Sequence, residues 1–308
     1  MEPKSKCTAC GEPVRDTWKV CPMCGHPLAR LACPACGVEV NAAWKLCPEC
    51  GARLTCPTCG RRIPAGENGC RACAADAQTV DAGFIVEPVT GVELVRVPGG
   101  TFEMGDLFGD GWDNEVPPRT VRVEGFFLGR TPVTQAQWEA VMGSNPSMFK
   151  RGGTHPVEQV SWTDVSEFLK RLNAASPGGA RFRLPGEAEW EYAARSGGKK
   201  EIYAGGDRVD RVAWTAETSA GSTQPVGRKQ ANGLGLYDMS GNVWEWCRDL
   251  YVPNAAAGAA RKPGGSTPER VIRGGSWSLD DWSARCSRRF GFPEDYFGPG
   301  LGFRVAAD

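Results

Sequence analysis

The sequence predicts two kinds of structure in one chain: three small zinc ribbons with four cysteines each, and a larger α+β domain that mixes helices, short strands and long loops. Three observations lead to this prediction. Twelve of the fourteen cysteines lie before residue 74 in six Cys-x-x-Cys pairs, a Gly- and Trp-rich sequence takes over from about residue 92, and only three of its segments have helix signals. We expect residues 1–75 to form the ribbons, 76–91 to be a linker and 92–308 to form the second domain.

The six cysteine pairs repeat one spacing three times. In each repeat, a Cys-x-x-Cys pair is followed after ten residues by a second pair. Two such pairs supply four thiolates, which is the ligand set of a tetrahedral structural zinc site. The predicted ligands of the three zinc ions are Cys7, Cys10, Cys21 and Cys24; Cys33, Cys36, Cys47 and Cys50; and Cys56, Cys59, Cys70 and Cys73. The alternative, a set of disulfides, would need an oxidising compartment.

The charge balance and the opening sequence bear on partners and location. The 36 basic residues equal the 36 acidic ones, so bulk attraction to nucleic acid or to an anionic membrane is not expected. The first residues, Met-Glu-Pro-Lys-Ser-Lys-Cys, lack the apolar region of a signal peptide, and no run of about 18 apolar residues follows. We expect a cytoplasmic protein with a protein or peptide partner and without nucleic acid or membrane binding. The sequence contains no indication of the oligomeric state.

Three segments of the second domain have helix signals. The first begins at a capping box formed by Thr134 and Gln137, and the second begins at a capping box formed by Ser161 and Asp164. The apolar residues of the second segment lie on one helix face: Val165, Phe168, Leu169 and Leu172. The third segment, residues 187–195, is followed by two glycines. The rest of the domain is expected to form short strands and long loops.

Seven motifs follow one another through the second domain. They are Val92-Glu-Leu-Val-Arg-Val-Pro-Gly-Gly-Thr-Phe-Glu-Met-Gly105, Phe126-Phe-Leu-Gly-Arg-Thr-Pro-Val-Thr134, Pro156-Val-Glu-Gln-Val-Ser-Trp162, Arg183-Leu-Pro-Gly-Glu-Ala-Glu-Trp-Glu-Tyr192, Gly235-Leu-Tyr-Asp-Met-Ser-Gly-Asn-Val-Trp-Glu-Trp246, Arg273-Gly-Gly-Ser-Trp277 and Gly302-Phe-Arg304. In type and order they resemble the formylglycine-generating-enzyme, or sulfatase-modifying factor, family. The resemblance implies an α+β fold of the C-type-lectin-like kind.

The resemblance also implies where the chemistry of the family would lie. The oxidase of this family holds one copper(I) ion between two cysteines just after the Gly-Gly-Ser-aromatic motif, and two thiolates suit this soft ion. Here that stretch, Trp277–Arg285, contains no cysteine. Cys247 and Cys286 match family positions outside the catalytic pair, and free cysteines are commonly small buried hydrophobic residues. We therefore expect no copper and no catalytic residues, with a copper-dependent oxidase acting on a substrate cysteine as the alternative.

The sequence leads to different expectations for two other metals of the family, iron and calcium. The sulfoxide synthases of the family need a histidine-ligated iron, which His26 and His155 alone cannot form, so no iron is expected. A structural calcium site of the family lies around the Gly-Asn-x-Trp-Glu motif. Carried over to this chain, its ligands are the carboxylates of Asp238 and Glu245 and the main-chain carbonyls of Gly241 and Val243. The alternative is that the two carboxylates only cap turns.

The segment between Trp277 and Leu301 is dense in aromatic, acidic and arginine residues, which is typical of adaptable binding surfaces. In related proteins the same stretch can be diversified to produce variable receptors. The candidate contact residues are Asp280, Asp281, Trp282, Phe290, Phe292, Tyr296 and Phe297. The alternative is that half of these aromatic residues belong to the core. We expect a non-catalytic domain that recognises a protein or peptide, with the ribbons as a docking or spacing element.

Overall fold

The computed structural model describes residues 84–176, 181–253 and 268–308, together with Ser5–Lys6, Pro13–Val14 and Met23. The chain divides into two compact units, Met1–Ala82 and Gly83–Asp308. In the first unit, strands β1 (Ser5–Lys6) and β2 (Pro13–Val14) form an antiparallel pair. The twelve predicted zinc ligands lie outside the described residues. No helix among the described residues has the length and apolar character needed to cross a membrane.

Strands and helices alternate irregularly along the second unit. The strands are β3 (Phe84–Val86), β4 (Glu93–Val97), β5 (Gly100–Met104), β6 (Arg119–Val123), β7 (Phe126–Gly129), β8 (Phe182–Arg183), β9 (Trp244–Leu250), β10 (Glu269–Arg273), β11 (Arg289–Pro293), β12 (Leu301–Gly302) and β13 (Ala306–Ala307). The helices are α1 (Gln135–Met142), α2 (Trp162–Ala175), α3 (Glu187–Ala194), the short α4 (Val209–Val212) and a 3₁₀ turn (Asp281–Ala284).

Both predicted capping boxes are present at the helix starts. The Thr134 hydroxyl accepts a hydrogen bond from the Gln137 amide, and the Gln137 side chain accepts one from the Thr134 amide. Ser161 and Asp164 make the same reciprocal pair before α2. These bonds satisfy amide groups that have no partner inside a helix, which is why both helices begin where the sequence predicts. Gly186 precedes α3 without a side-chain cap.

Two sheets and one hairpin form the framework of the second unit. The five-stranded antiparallel sheet has the order β3-β4-β7-β13-β8, so the C-terminal strand lies between β7 and β8. The four-stranded sheet has the order β11-β10-β9-β12, with β12 parallel to β9 and β11 at an edge. Strands β5 and β6 pair as a separate antiparallel hairpin. Two buried hydrophobic clusters fill the space between these elements; one includes the apolar face of α2 and the other includes Trp190 of α3.

The second domain begins earlier than the sequence prediction places it. Strand β3 pairs with β4, and the Glu87 carboxylate, 2% exposed, accepts hydrogen bonds from the amides of Val89 and Thr90. It also accepts one from the Ser176 hydroxyl at the end of α2. Residues 84–91 are therefore part of the folded domain rather than of a linker. The Ala- and Asp-rich composition just before them led to the linker prediction, and three strand residues are too few to show a periodic pattern.

Candidate ligand-binding surface

Seven aromatic side chains from three parts of the chain form one surface, which we call the aromatic face. Its members are Trp112, Tyr251, Trp282, Phe290, Phe292, Tyr296 and Phe297. The loop before β6 supplies Trp112, and the residue that follows β9 is Tyr251. The 3₁₀ turn, β11 and the residues after β11 supply the others. Edge strand β11 and the 3₁₀ turn thus present the segment that the sequence selects as the candidate contact region.

One end of the aromatic face is a tryptophan pair. The rings of Trp112 and Trp282 are 5.2 Å apart, and the Trp282 indole N–H donates to the carbonyl oxygen of Asp110 (3.2 Å). The buried Arg288 guanidinium lies 3.7 Å from the Trp112 ring centroid, and Arg285 lies 4.6 Å from that of Trp282. The pair therefore rests on two cations, an arrangement that the negative faces of indole rings favour.

The other end is a row of rings along β11. Phe290 lies 6.3 Å from Tyr251 and 5.4 Å from Phe292, and Phe292 stacks on Tyr296 at 4.1 Å. Phe292 also packs against the first hydrophobic cluster, so it is partly a core residue, as the alternative interpretation of the sequence expects. Tyr296 is 42% exposed and Phe297 is 61% exposed. The row thus joins the core at Phe292 and is open to solvent at its far end.

Buried ion pairs hold the backbone of the aromatic face in place. Arg285 contacts the Glu115 carboxylate at 3.0 Å, and Arg289 contacts that of Glu187 at 2.6 Å. Burial alone would raise the pKa of Glu187, but the Arg289 and Arg273 guanidinium groups lower it below its ordinary value. Arg289 joins β11 to α3, and Arg285 joins the end of the 3₁₀ turn to the loop before β6. The face therefore rests on a rigid base.

All seven candidate contact residues lie on or beside the aromatic face, and two contributors were not predicted. Asp280 caps the 3₁₀ turn by accepting from the Ser283 amide and hydroxyl, while Asp281 is the first residue of that turn. Trp112 and Tyr251 come from distant parts of the sequence. Trp112 is the clearer missed signal, because it is a tryptophan flanked by Gly and Asp in a loop between two strands, where a large aromatic side chain is available for binding.

The four residues predicted to bind calcium, Asp238, Gly241, Val243 and Glu245, are all buried. The Glu245 carboxylate accepts hydrogen bonds from the Arg304 guanidinium at both oxygens (2.6 Å each) and from the Trp190 indole (2.6 Å). One Asp238 oxygen accepts from the Gly227 amide (2.7 Å), whereas the other is buried without a hydrogen-bond partner among the described residues. Burial raises the pKa of Asp238 to about 6. The unpartnered oxygen fits a cation ligand, while Glu245 is already engaged by Arg304 and Trp190.

The remaining two cysteines are buried in the second hydrophobic cluster. Cys247 and Cys286 have no exposed surface and are not paired in a disulfide. Burial raises the pKa of Cys286 to about 12 and that of Cys247 well above its ordinary value. In the part of the chain that the structure describes, no three His, Cys, Asp or Glu side chains form a metal-binding group. Both thiols therefore have the environment of small core residues.

The two sheets, the capped helices and the long loops between them define a C-type-lectin-like fold of the formylglycine-generating-enzyme type. Residues 85–308 match the sulfatase-modifying factor enzyme 1-like domain, and residues 7–51 match the double zinc ribbon. The chain belongs to the sulfatase-modifying factor family and has a zinc-ribbon region before the family domain. The third cysteine repeat lies beyond the double zinc ribbon match.

Sequence similarity to other proteins and structural similarity to solved structures both support this assignment. The chain is 32% identical to the formylglycine-generating enzyme of Streptomyces coelicolor, with 77% of this chain and 96% of that protein covered. It is 32% identical to chaperone protein LppX of Paenibacillus barcinonensis, covering 69% and 88%. Among solved structures, Treponema denticola variable protein 1 (TM-score 0.62, 27% identity, 73% and 98% covered) and PvdO from Pseudomonas aeruginosa (TM-score 0.62, 25% identity, 74% and 98% covered) share its fold.

Proposed function

We propose that the second domain is a non-catalytic module that binds a protein or peptide through the aromatic face. The observation that supports this most directly is a set of large, solvent-exposed rings held by buried ion pairs. Exposed aromatic residues on a rigid base are typical of binding surfaces because they give contact area at a small entropic cost. One relative is named a chaperone, and a chaperone acts on other proteins. The predicted role of the zinc ribbons in docking or spacing, and the predicted cytoplasmic location, are part of this proposal.

Selection from a random peptide library tests the proposed binding role. We expect sequences to be enriched on the full-length zinc-loaded chain and to be lost on the Tyr296→Ala/Phe297→Ala variant, because both side chains are exposed and their removal leaves the core intact. Val89→Ala is the matched control, since Val89 is an exposed apolar residue (37%) in the turn after β3. Enrichment that is equal on the wild type and the double variant, or the failure of any sequence to be enriched, would count against the proposal.

The copper-dependent oxidase is the competing function, and the two buried cysteines allow it to be tested. We expect the wild type and the Cys247→Ser/Cys286→Ser variant to retain the same amount of copper after zinc loading, anaerobic copper(I) treatment and desalting. The reason is that copper(I) needs accessible thiolates, whereas these thiols are buried and their pKa values are raised. Copper bound by the ribbons is the same in both proteins, so a difference between them reports only on Cys247 and Cys286. About one additional copper ion in the wild type would favour the oxidase.

We also propose calcium binding at Asp238, Gly241, Val243 and Glu245. Addition of calcium to calcium-free, zinc-loaded protein should raise the melting temperature by about 5 °C, because the ion would satisfy the unpartnered Asp238 oxygen. Asp238→Asn should remove this response, whereas Asp210→Asn, at an exposed carboxylate, should preserve it. Magnesium serves as the control ion. An unchanged melting temperature with calcium in the wild type would refute the assignment.

A further inference from the structure

Basic and acidic side chains beside the aromatic face differ in burial. Three arginines lie within residues 278–297, and all three are buried: Arg285, Arg288 and Arg289. Their guanidinium groups face Glu115, Glu187 and the inner sides of the rings. The positive charge of this segment is therefore directed into the molecule and is not available at the surface.

The carboxylates of the same region are directed to solvent. Residues 106–115 and 278–297 contribute six exposed or half-buried acidic residues: Asp110, Asp113, Asp280, Asp281, Glu294 and Asp295. Two of them have arginine partners, Asp110 with Arg285 and Glu294 with Arg270. The other four form no ion pair with the residues that the structure describes. Neither segment has an exposed lysine or arginine, so the two segments themselves present only negative charge to solvent.

The rings themselves are suited to cations. Trp112 is 46% exposed although Arg288 lies over it, so a further part of the indole faces solvent. Within the protein, the buried guanidinium groups of Arg288 and Arg285 lie over the rings of Trp112 and Trp282. An aromatic ring beside a carboxylate attracts lysine or arginine through its quadrupole and through charge together. The same carboxylates would repel nucleic acid phosphates and anionic lipid headgroups.

We infer that the aromatic face binds a basic segment of a protein partner, with lysine or arginine side chains placed over the exposed rings and against the surrounding carboxylates. This inference rests on the proposed function, to which it adds the charge of the ligand. The aromatic rings provide the contact area and the acidic rim selects the partner. Neutral and acidic segments lack the second interaction.

Three labelled peptides test the inference directly. They share one length and one Gly/Ser/Leu backbone and differ only in having Arg, Gln or Glu at the same positions. With the full-length zinc-loaded chain at about 0.15 M salt, where charges more than about 8 Å apart are screened, we expect the Arg peptide to bind about tenfold more tightly than the Gln peptide. Binding of the Glu peptide should be the weakest. Fluorescence anisotropy gives the three dissociation constants.

Matched variants separate this inference from general attraction between opposite charges. Asp280→Asn/Asp281→Asn keeps a capping residue at position 280 and should remove most of the Arg advantage without changing Gln peptide binding. Glu124→Gln/Glu139→Gln removes two exposed carboxylates, one in the connection between β6 and β7 and one on α1, and should have no effect. Equal losses in both variants, or no binding of the Arg peptide, would overturn the inference. Equal binding of all three peptides that is lost in Tyr296→Ala/Phe297→Ala would overturn it and leave the proposed function in place.

Discussion

Replacement of Glu191 by glutamine is expected to lower the free energy of unfolding of the second domain by about 3–5 kcal/mol. The Glu191 carboxylate is 1% exposed, accepts hydrogen bonds from Arg195 and from the Gly105 amide (2.9 Å each), and is paired with Arg273. Without its charge, Arg195 loses its ion-pair partner and Arg273 keeps only the more distant Glu187 carboxylate (3.9 Å), so the desolvation cost of the two buried guanidinium groups is less well offset. Urea unfolding followed by tryptophan fluorescence reports on this domain, which contains nine of the eleven tryptophans (all but Trp18 and Trp44).

An exposed glutamate on α2 provides the control. Glu167 forms ion pairs with Lys170 and Arg171 at the surface, where both partners remain solvated. Glu167→Gln should therefore leave the free energy of unfolding nearly unchanged. If Glu191→Gln cost no more than this control, the buried ion pairs of Glu191 with Arg195 and Arg273 would not stabilise the domain.

The sequence predicts structure best where the signal is local. Thr134 and Ser161 begin helices because the capping side chains and their amide partners are three residues apart, so one short window contains the whole interaction. The aromatic composition of β11 and of the residues after it could also be predicted, because Phe290, Phe292 and Tyr296 lie close together in the chain. Their exposure differs, and that depends on packing against distant elements.

The base of the surface could not be predicted from the sequence. Arg273 and Glu191 are 82 residues apart, and Arg289 and Glu187 are 102 residues apart, so the acid partner of each arginine is decided only by the fold. The place of Trp112 on the aromatic face could not be predicted either. Its loop is held beside Trp282 by a hydrogen bond from the Trp282 indole to the Asp110 carbonyl, and these two residues are 172 positions apart in the chain. In the sequence, arginines and acidic residues are mixed along residues 278–297, whereas the structure buries the arginines and leaves the acidic residues exposed or half-buried. This difference in burial gives the segment its negative charge toward solvent.

Removal of zinc is expected to unfold residues 1–75 and to have the largest effect of any treatment on the chain. Units of this size cannot bury enough apolar surface to fold unaided, and metal binding supplies about 10–16 kcal/mol per structural site. Elemental analysis of the intact chain should give about three zinc ions, one for each group of four cysteines. Addition of a strong zinc chelator should make residues 1–75 sensitive to protease while residues 84–308 stay resistant.

Paired serine substitutions test whether the three sites are independent. Cys33→Ser/Cys36→Ser and Cys56→Ser/Cys59→Ser should each lower the zinc content by about one ion, whereas Cys247→Ser/Cys286→Ser should not lower it. A loss of two ions from one substituted pair would mean that the sites are not independent and that one of them needs its neighbour to hold zinc. An unchanged content in Cys56→Ser/Cys59→Ser would mean that only the double zinc ribbon, residues 7–51, holds metal. Residues 52–75 would then need another source of stability, because a chain this short has no sufficient core of its own.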